Sequence, residues 1–368
     1  MCQVTISAYQ FFKRFPDAQT ARQYIEACRW PRGACCPVCN GADRVQTRRR
    51  PGFYRCLACR LDFTIRTGTV MERSHVPLDK WLYAIYLVTT ARKGISSLQL
   101  SKEIGVTQKT AWFLLQRLRE ACAGGSDTLL RGIVEADETY IGGKEMNKHE
   151  GKKLKAGRGT IGKTPVMGMR ARGGEVRTFV LTGTSARQIQ EAVRSGVAPG
   201  TTLCTDEHSS YEGMPEFHHQ QVNHSAKQYV DGMAHTNGIE SVWAVLKRGF
   251  YGVYHSFSKK HLQRYVDEFT FRLNQGNVRV HTMERIDALL ARTPAKRLTY
   301  RALTARSLVR ARPRSVWTFA RHRGIVTTFS QYPQLMWLPI HHQSVGAPVP
   351  AGRGLPAFLH RKMQCGVT

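Results

Sequence analysis

The chain has 368 residues, with 55 Lys and Arg against 26 Asp and Glu, a formal charge of +29 at pH 7. That excess excludes an ordinary enzyme of small neutral molecules and points to a polyanionic partner, because basic side chains that neutralise phosphates release condensed counterions. The longest apolar run, Trp81 to Val88, is far short of a membrane span, and no signal peptide opens the chain. Nucleic acid is therefore expected over a membrane surface, with a cytoplasmic, nucleoid-associated location.

The first 30 residues carry Phe11, Phe12, Phe15, Tyr24 and Ile25 near helical spacing, with Asp17 or Thr20 as a helix cap. The next stretch, 31 to 66, is rich in Gly, Pro, Cys and Arg, as expected of a small module stapled by a metal. Of the ten cysteines, Cys36 and Cys39 form one C-x2-C pair and Cys56 and Cys59 another, with sixteen residues between them. This spacing suits a tetrahedral four-thiolate zinc site, closed and therefore structural. The remaining six are scattered, which fits a reducing compartment and not a disulfide framework. The first module is bounded at 1–70. Its arginines, Arg48 to Arg50, Arg55, Arg60 and Arg66, suit a ribbon that lies on DNA.

Helical patterns follow from Leu78 to Arg119, broken at Gly94 and Gly105. Leu98, Leu100 and Ile104 fit a short helix, and Gly105 stands where a tight turn needs a left-handed residue. Thr107 caps a second helix with Ala111, Leu114, Leu115 and Leu118 inward. A helix-turn-helix over 75–123 is the reading, with Gln108, Lys109, Trp112, Gln116 and Arg117 left exposed. Gln108, Lys109 and Arg117 are its candidate DNA contacts.

The period changes near Ile133. Short β-like runs are expected at Arg131–Ala136, Pro165–Arg170, Glu175–Leu181 and Thr201–Thr205, with a further one at Phe217–Val222. Gly173-Gly174 suits a hairpin turn between the second and third. A serine-capped helix is expected over 185–195 and two longer ones over 236–249 and 258–274. This is an α/β layer with a mixed sheet, placed in a domain over 128–300. The basic insertion 144–163, with Lys152, Lys153 and Lys155, is a candidate backbone contact for nucleic acid. Residues 301–368 contain ten Lys or Arg and no acid, and read as a basic, poorly ordered tail.

The chemistry is carried by acids. Asp137 is placed at the end of the first predicted strand and Asp206 at the end of the fourth. Phosphodiester cleavage or strand transfer uses two divalent ions roughly 4 Å apart to stabilise the attacking and leaving oxygens, and hard oxygen ligands suit Mg2+ or Mn2+. The third ligand is sought on the helix that begins near Thr236. Glu240 is preferred on chemical grounds, since an amide oxygen is a weaker ligand than a carboxylate, and Asn237, one turn earlier, is its rival. Lys247 lies two turns beyond Glu240 on the same face, suited to a DNA phosphate. Glu138, Glu207 and Asp267 read as caps or surface charge, and Trp243 and Leu246 as core.

The paired C-x2-C knuckles, VEADETYIGG, TDEHSSY, VNHSAKQYVDG, HTNGIESVWAVLKRGFYGVYH and YVDEFTFRLN together resemble one family, in family order, over about residues 15 to 300. It is the DDE-type transposases of bacterial insertion sequences with an N-terminal zinc ribbon, in the superfamily numbered fifteen-ninety-five. The resemblance implies an RNase H-like catalytic domain, two Mg2+ ions, and cut-and-join chemistry at terminal inverted repeats of double-stranded DNA. It also implies Asn237 as the substitute for the third acid, followed by Lys247, so Asn237 and Glu240 stay rivals. Joining two element ends to one target calls for at least a dimer. Two readings of other classes use the same modules: an inactive relic acting as a DNA-binding regulator, and an RNase H-like nuclease that cleaves without strand transfer.

Overall fold

The computed structural model describes residues 5–124, 128–143, 145–154, 159–222 and 235–305. The VNHSAKQYVDG segment lies mainly outside these residues, as do Lys155 and 306–368. The expected tail begins on a short described helix that ends at Thr304.

Helix α1 (Ala8–Arg14) starts at a reciprocal capping box between Ser7 and Gln10, and α2 (Ala18–Arg29) at Asp17, whose carboxylate accepts from the Thr20 amide. Strands β1 (Val45–Thr47), β2 (Phe53–Cys56) and β3 (Leu61–Thr64) form an antiparallel ribbon. After α3 (Leu78–Thr90), α4 (Ser97–Ile104) ends at Gly105 with φ of 59°, and Thr107 caps α5 (Gln108–Cys122). The ribbon does not bury a core alone. Cys36, Cys56, Phe63 and Ile65 pack in one cluster with α1 to α5 and with Met283, Ile286 and Leu289 of a much later helix.

The second layer is a mixed five-stranded sheet in the order β6-β5-β4-β7-β8. Its strands are β4 (Ile133–Ile141), β5 (Thr164–Ala171), β6 (Val176–Val180), β7 (Thr202–Asp206) and β8 (His218–Val222). β4, β5 and β6 are antiparallel neighbours, while β7 runs parallel to both β4 and β8. Helix α6 (Ala186–Gly196) covers one face, packing Ile189 and Val193 with Val134, Ala136, Met167 and Met169. Helices α7 (Asn237–Gly249) and α8 (Leu262–Leu273) cover the other, with Ile239, Val242, Trp243 and Val266 against Ile141, Val166 and Val176. Side chains of α8 and of its C-cap, Asn274, also close the free edge of β6. Asn274 exchanges both hydrogen bonds with the Val176 backbone at 2.9 and 2.8 Å, and Gln263 accepts from the Val180 amide.

All five expected strands are present. The first, however, runs on through Asp137 and Glu138 to Ile141 where the expectation ended it at Ala136, because the two acids hide a continuous strand from any hydropathy pattern. Helix α9 (Thr282–Ala291) returns to pack on α2 and α3, so the C-terminal part of the chain completes the N-terminal core before α10 (Tyr300–Thr304). The two layers are joined by Glu268 of α8, fully buried and paired with both Arg119 of α5 and Arg272. Among the described residues no helix is long and apolar enough to cross a membrane.

Candidate active site and metal centre

In the ribbon, the knuckle after each C-x2-C pair is turned by a left-handed residue, Asn40 (φ 56°) and Arg60 (φ 57°). This brings the sulfurs of Cys36, Cys39, Cys56 and Cys59 within 4.8 Å of one another, with Cys39 and Cys56 3.7 Å apart. A tetrahedral zinc with arms of about 2.3 Å has sulfur–sulfur edges of about 3.8 Å, so the four thiols fit the ion as they stand. The Cys59 amide donates to Cys56 Sγ at 3.4 Å, the kind of N–H···S contact that supports a thiolate. Among the described residues this is the only group of three or more Cys, His or acidic side chains gathered so closely.

The acids are organised by the sheet. Asp137 lies in the middle of β4, not at its end, and Asp206 is the last residue of β7. The parallel register ends on the Glu135–Cys204 pair, and two residues further along each strand stand Asp137 and Asp206, close enough for the Asp206 charge to act on Asp137. Alternation along the strands puts Glu135, Asp137, Cys204 and Asp206 on the face covered by α7. Asp137 Oδ2 accepts from the indole N–H of buried Trp243 at 2.9 Å, and Oδ1 from the Glu138 amide at 2.7 Å. Gly168 is paired with Asp137 across β4 and β5; a Cβ there would lie 2.4 Å from the Trp243 ring, so its bare backbone makes room for the indole.

The Asp137 carboxyl is pushed up to about 6, chiefly by burial and next by the Asp206 charge, with Glu240 adding to it and the indole N–H opposing it. Glu240 is exposed in the first turn of α7, where its Oε1 accepts from the Thr236 hydroxyl at 3.2 Å. On a helix of about 100° per residue, Lys247 falls about 20° from Glu240 on the Trp243 side, whereas Asn237 falls about 60° away, toward solvent. Both Lys247 and Asn237 are exposed. Asp137, Asp206 and Glu240 do not gather as tightly as the four cysteines. Two ions roughly 4 Å apart would leave the outermost ligands separated. The donor chemistry, all hard oxygens, fits Mg2+ or Mn2+.

Several expected residues stand elsewhere. Gln116 and Arg117 are buried, not exposed, because α5 is enclosed by α8 and the segment near Leu298. Gln116 donates to the Tyr265 hydroxyl and Arg117 to the Leu298 carbonyl, and the Arg117 guanidinium stacks over Phe113. Gln108 and Lys109 are exposed at the start of α5. Lys152 is exposed, and Lys153 pairs with Glu150 at 2.7 Å. Glu138 is not a surface charge. It points to the α6 face, where burial pushes its carboxyl up to about 7 while a hydrogen bond from Tyr211 opposes the shift. Sequence reasoning missed Trp243 as a donor to Asp137, Gly168 beneath it, and Glu135. The glycine inside an apolar strand was the available signal for a close approach.

Residues 129–274 match the ISXO2-like transposase domain, and residues 16–62 match the transposase zinc-ribbon domain. The chain is also 31% identical over 278 residues to an uncharacterized protein in the transposable element ISH50 of Halobacterium salinarum, which covers 71% of this chain and 92% of that protein. A cysteine ribbon followed by an α/β domain, each matched by a transposase domain family, makes the chain a transposase by family. The chain belongs to the IS1595 family of insertion-sequence transposases.

Proposed function

We propose that this protein is a DDE-type transposase that cuts DNA at the terminal inverted repeats of its element and joins the freed ends to target DNA. The observation that carries the reading is the closeness of Asp137 and Asp206, which lie on the same face of adjacent parallel strands beneath α7. In this reading the sheet domain is RNase H-like, and Asp137, Asp206 and Glu240 hold Mg2+ or Mn2+, which when bound stabilise the attacking and leaving oxygens of an in-line displacement. Glu240 is chosen over Asn237 because a carboxylate is the stronger ligand for a hard cation and because Glu240 lies nearer the Trp243 side of α7. Trp243 holds the Asp137 carboxylate in one orientation, and Lys247 steadies a DNA phosphate beside it.

The first step is hydrolysis, which frees a 3′-hydroxyl. The second is a transesterification in which that hydroxyl displaces a target 3′-oxygen at phosphorus, conserving the number of phosphodiester bonds. The zinc ribbon and a helix-turn-helix formed by α4 and α5 grip the element end, with Gln108 and Lys109 toward base edges and Lys152 near the backbone. Two ends and one target call for at least a dimer, working in the cytoplasm on the nucleoid. The test is an in vitro reaction on a labelled duplex carrying the element's own ends, with Mg2+ and with Asp206→Ala beside wild type. Nicked ends and joined products, both lost in Asp206→Ala, are expected. Cleavage without joining would replace transposition by a nuclease, and binding without cleavage would leave a regulator.

A further inference from the structure

The first turn of α7 is capped from another element. Thr236 supplies no side-chain cap to the helix, since its hydroxyl donates to Glu240. Instead, Oε2 of Glu135 on β4 accepts from the Ile239 amide at 2.9 Å. A carboxylate on the orphan amides of a helix start is favoured by both hydrogen bonding and the helix dipole. Glu135 is only 1% exposed, so its charge needs compensation, and Arg172 Nε provides it at 2.9 Å on Oε1. Arg172 Nη2 reaches on to the His235 carbonyl at 3.0 Å, while Arg170 donates to the Gly238 carbonyl at 2.6 Å and to Ser241 Oγ at 2.9 Å. Gly238 is what lets the carboxylate in, because a Cβ there would lie 2.4 Å from Glu135 Oε2.

We propose that Glu135 is a positioning residue which, with Arg172 and Gly238, fixes the first turn of α7 on β4 and so sets Glu240 relative to Asp137. Glu135 stands two residues before Asp137 on the same face of the same strand. One strand therefore carries an acid of the site and the anchor for the helix that bears another. The inference rests on the proposed reading of Asp137, Asp206 and Glu240 as the reacting centre.

The test compares Glu135→Ala, Glu135→Gln and Gly238→Ala with wild type, using the full chain loaded with zinc. Hydrogen exchange is followed in peptides covering 235–246 and, as control, α6. Affinity for the end duplex is measured without divalent metal, and end cleavage is measured across a Mg2+ series. Glu135→Ala and Gly238→Ala should speed exchange in 235–246 by roughly ten- to a hundredfold, the factor set by one charge-assisted hydrogen bond, and leave α6 unchanged. Both should bind the end duplex like wild type, cleave at least about tenfold more slowly, and need more Mg2+. Glu135→Gln keeps an uncharged acceptor for the Ile239 amide and should fall between these two variants and wild type. Unchanged exchange in 235–246, or equal loosening of α6, overturns the positioning role. If Glu135→Ala does not fold, Glu135→Gln and Gly238→Ala decide the matter through the same readings. Absence of cleavage by wild type would strike at the proposed function instead, and the exchange comparison would still decide whether Glu135 anchors α7.

Discussion

Gly168→Ala tests the seating of Trp243 with a single methyl group. The added Cβ would lie 2.4 and 2.5 Å from two indole carbons and 2.9 Å from Ile239 Cδ1, far inside van der Waals contact. Trp243 is 4% exposed and held between β5 and the body of α7, so it has no free space to retreat into. Overpacking of this kind costs roughly 1–3 kcal/mol. Moving the indole also breaks its bond to Asp137, a hydrogen bond to a charged group worth roughly 1.5–3 kcal/mol. Because one displacement causes both losses, the expected total is about 3 kcal/mol. That corresponds to a fall in Tm of roughly 6–12 °C at the shift per kcal/mol of domains of 150–250 residues. The assay is urea and thermal unfolding of wild type, Gly168→Ala, Trp243→Phe and the double variant. The smaller phenyl ring leaves room for the methyl, so Gly168→Ala should cost less than about 1 kcal/mol in the Trp243→Phe background. Additive losses in the double variant, or an unchanged Tm for Gly168→Ala alone, would refute the contact.

Two further outcomes are expected. Asp267, beside the Cys122 end of α5, is pushed up to about 6, first by burial and then by the Glu120 charge, against a hydrogen bond from Gln263 and the nearby Arg264 and Lys296. A carboxyl raised in the folded state contributes stability below its ordinary value of 3.8 that is lost as pH climbs through about 6. Asp267→Asn, which still accepts from Gln263, should therefore be more stable than wild type at pH 7.5 by about 1–3 kcal/mol and lose that advantage at pH 4. Urea titrations at the two pH values check it, and a variant weaker than wild type at pH 7.5 counts against the burial argument. Cys56→Ser should abolish stoichiometric zinc, measured by elemental analysis, and open the ribbon core where Trp30 packs on Tyr54 and Phe63. Retention of zinc by the variant would mean that the ion is held elsewhere.

The sequence by itself determined whatever depends on neighbours a few positions apart. The C-x2-C knuckles, the Asp17 and Thr107 caps, the left-handed turn at Gly105 and the hairpin at Gly173 all follow from local backbone geometry, and each stands where its spacing required. Asp137, Asp206 and Glu240 stood out as candidates because the residue types suit a hard cation. Their arrangement was not legible. The acids at 137 and 138 interrupted the apolar pattern, so a nine-residue strand read as one that stopped before them. Only the register of β4 on β7 turns Asp137 and Asp206 to one face and Glu138 to the other. Arg117 looked exposed because its own helix could be counted but the surface that encloses it could not; it comes from the segment near Leu298, more than a hundred residues away in the chain. The same holds for Glu135, which reads as one more acid in a strand until the first turn of α7 is laid across it. Side-chain periodicity fixes which residues share a face, but the identity of the partner across that face is set by pairing between distant segments, and tertiary structure alone decided it.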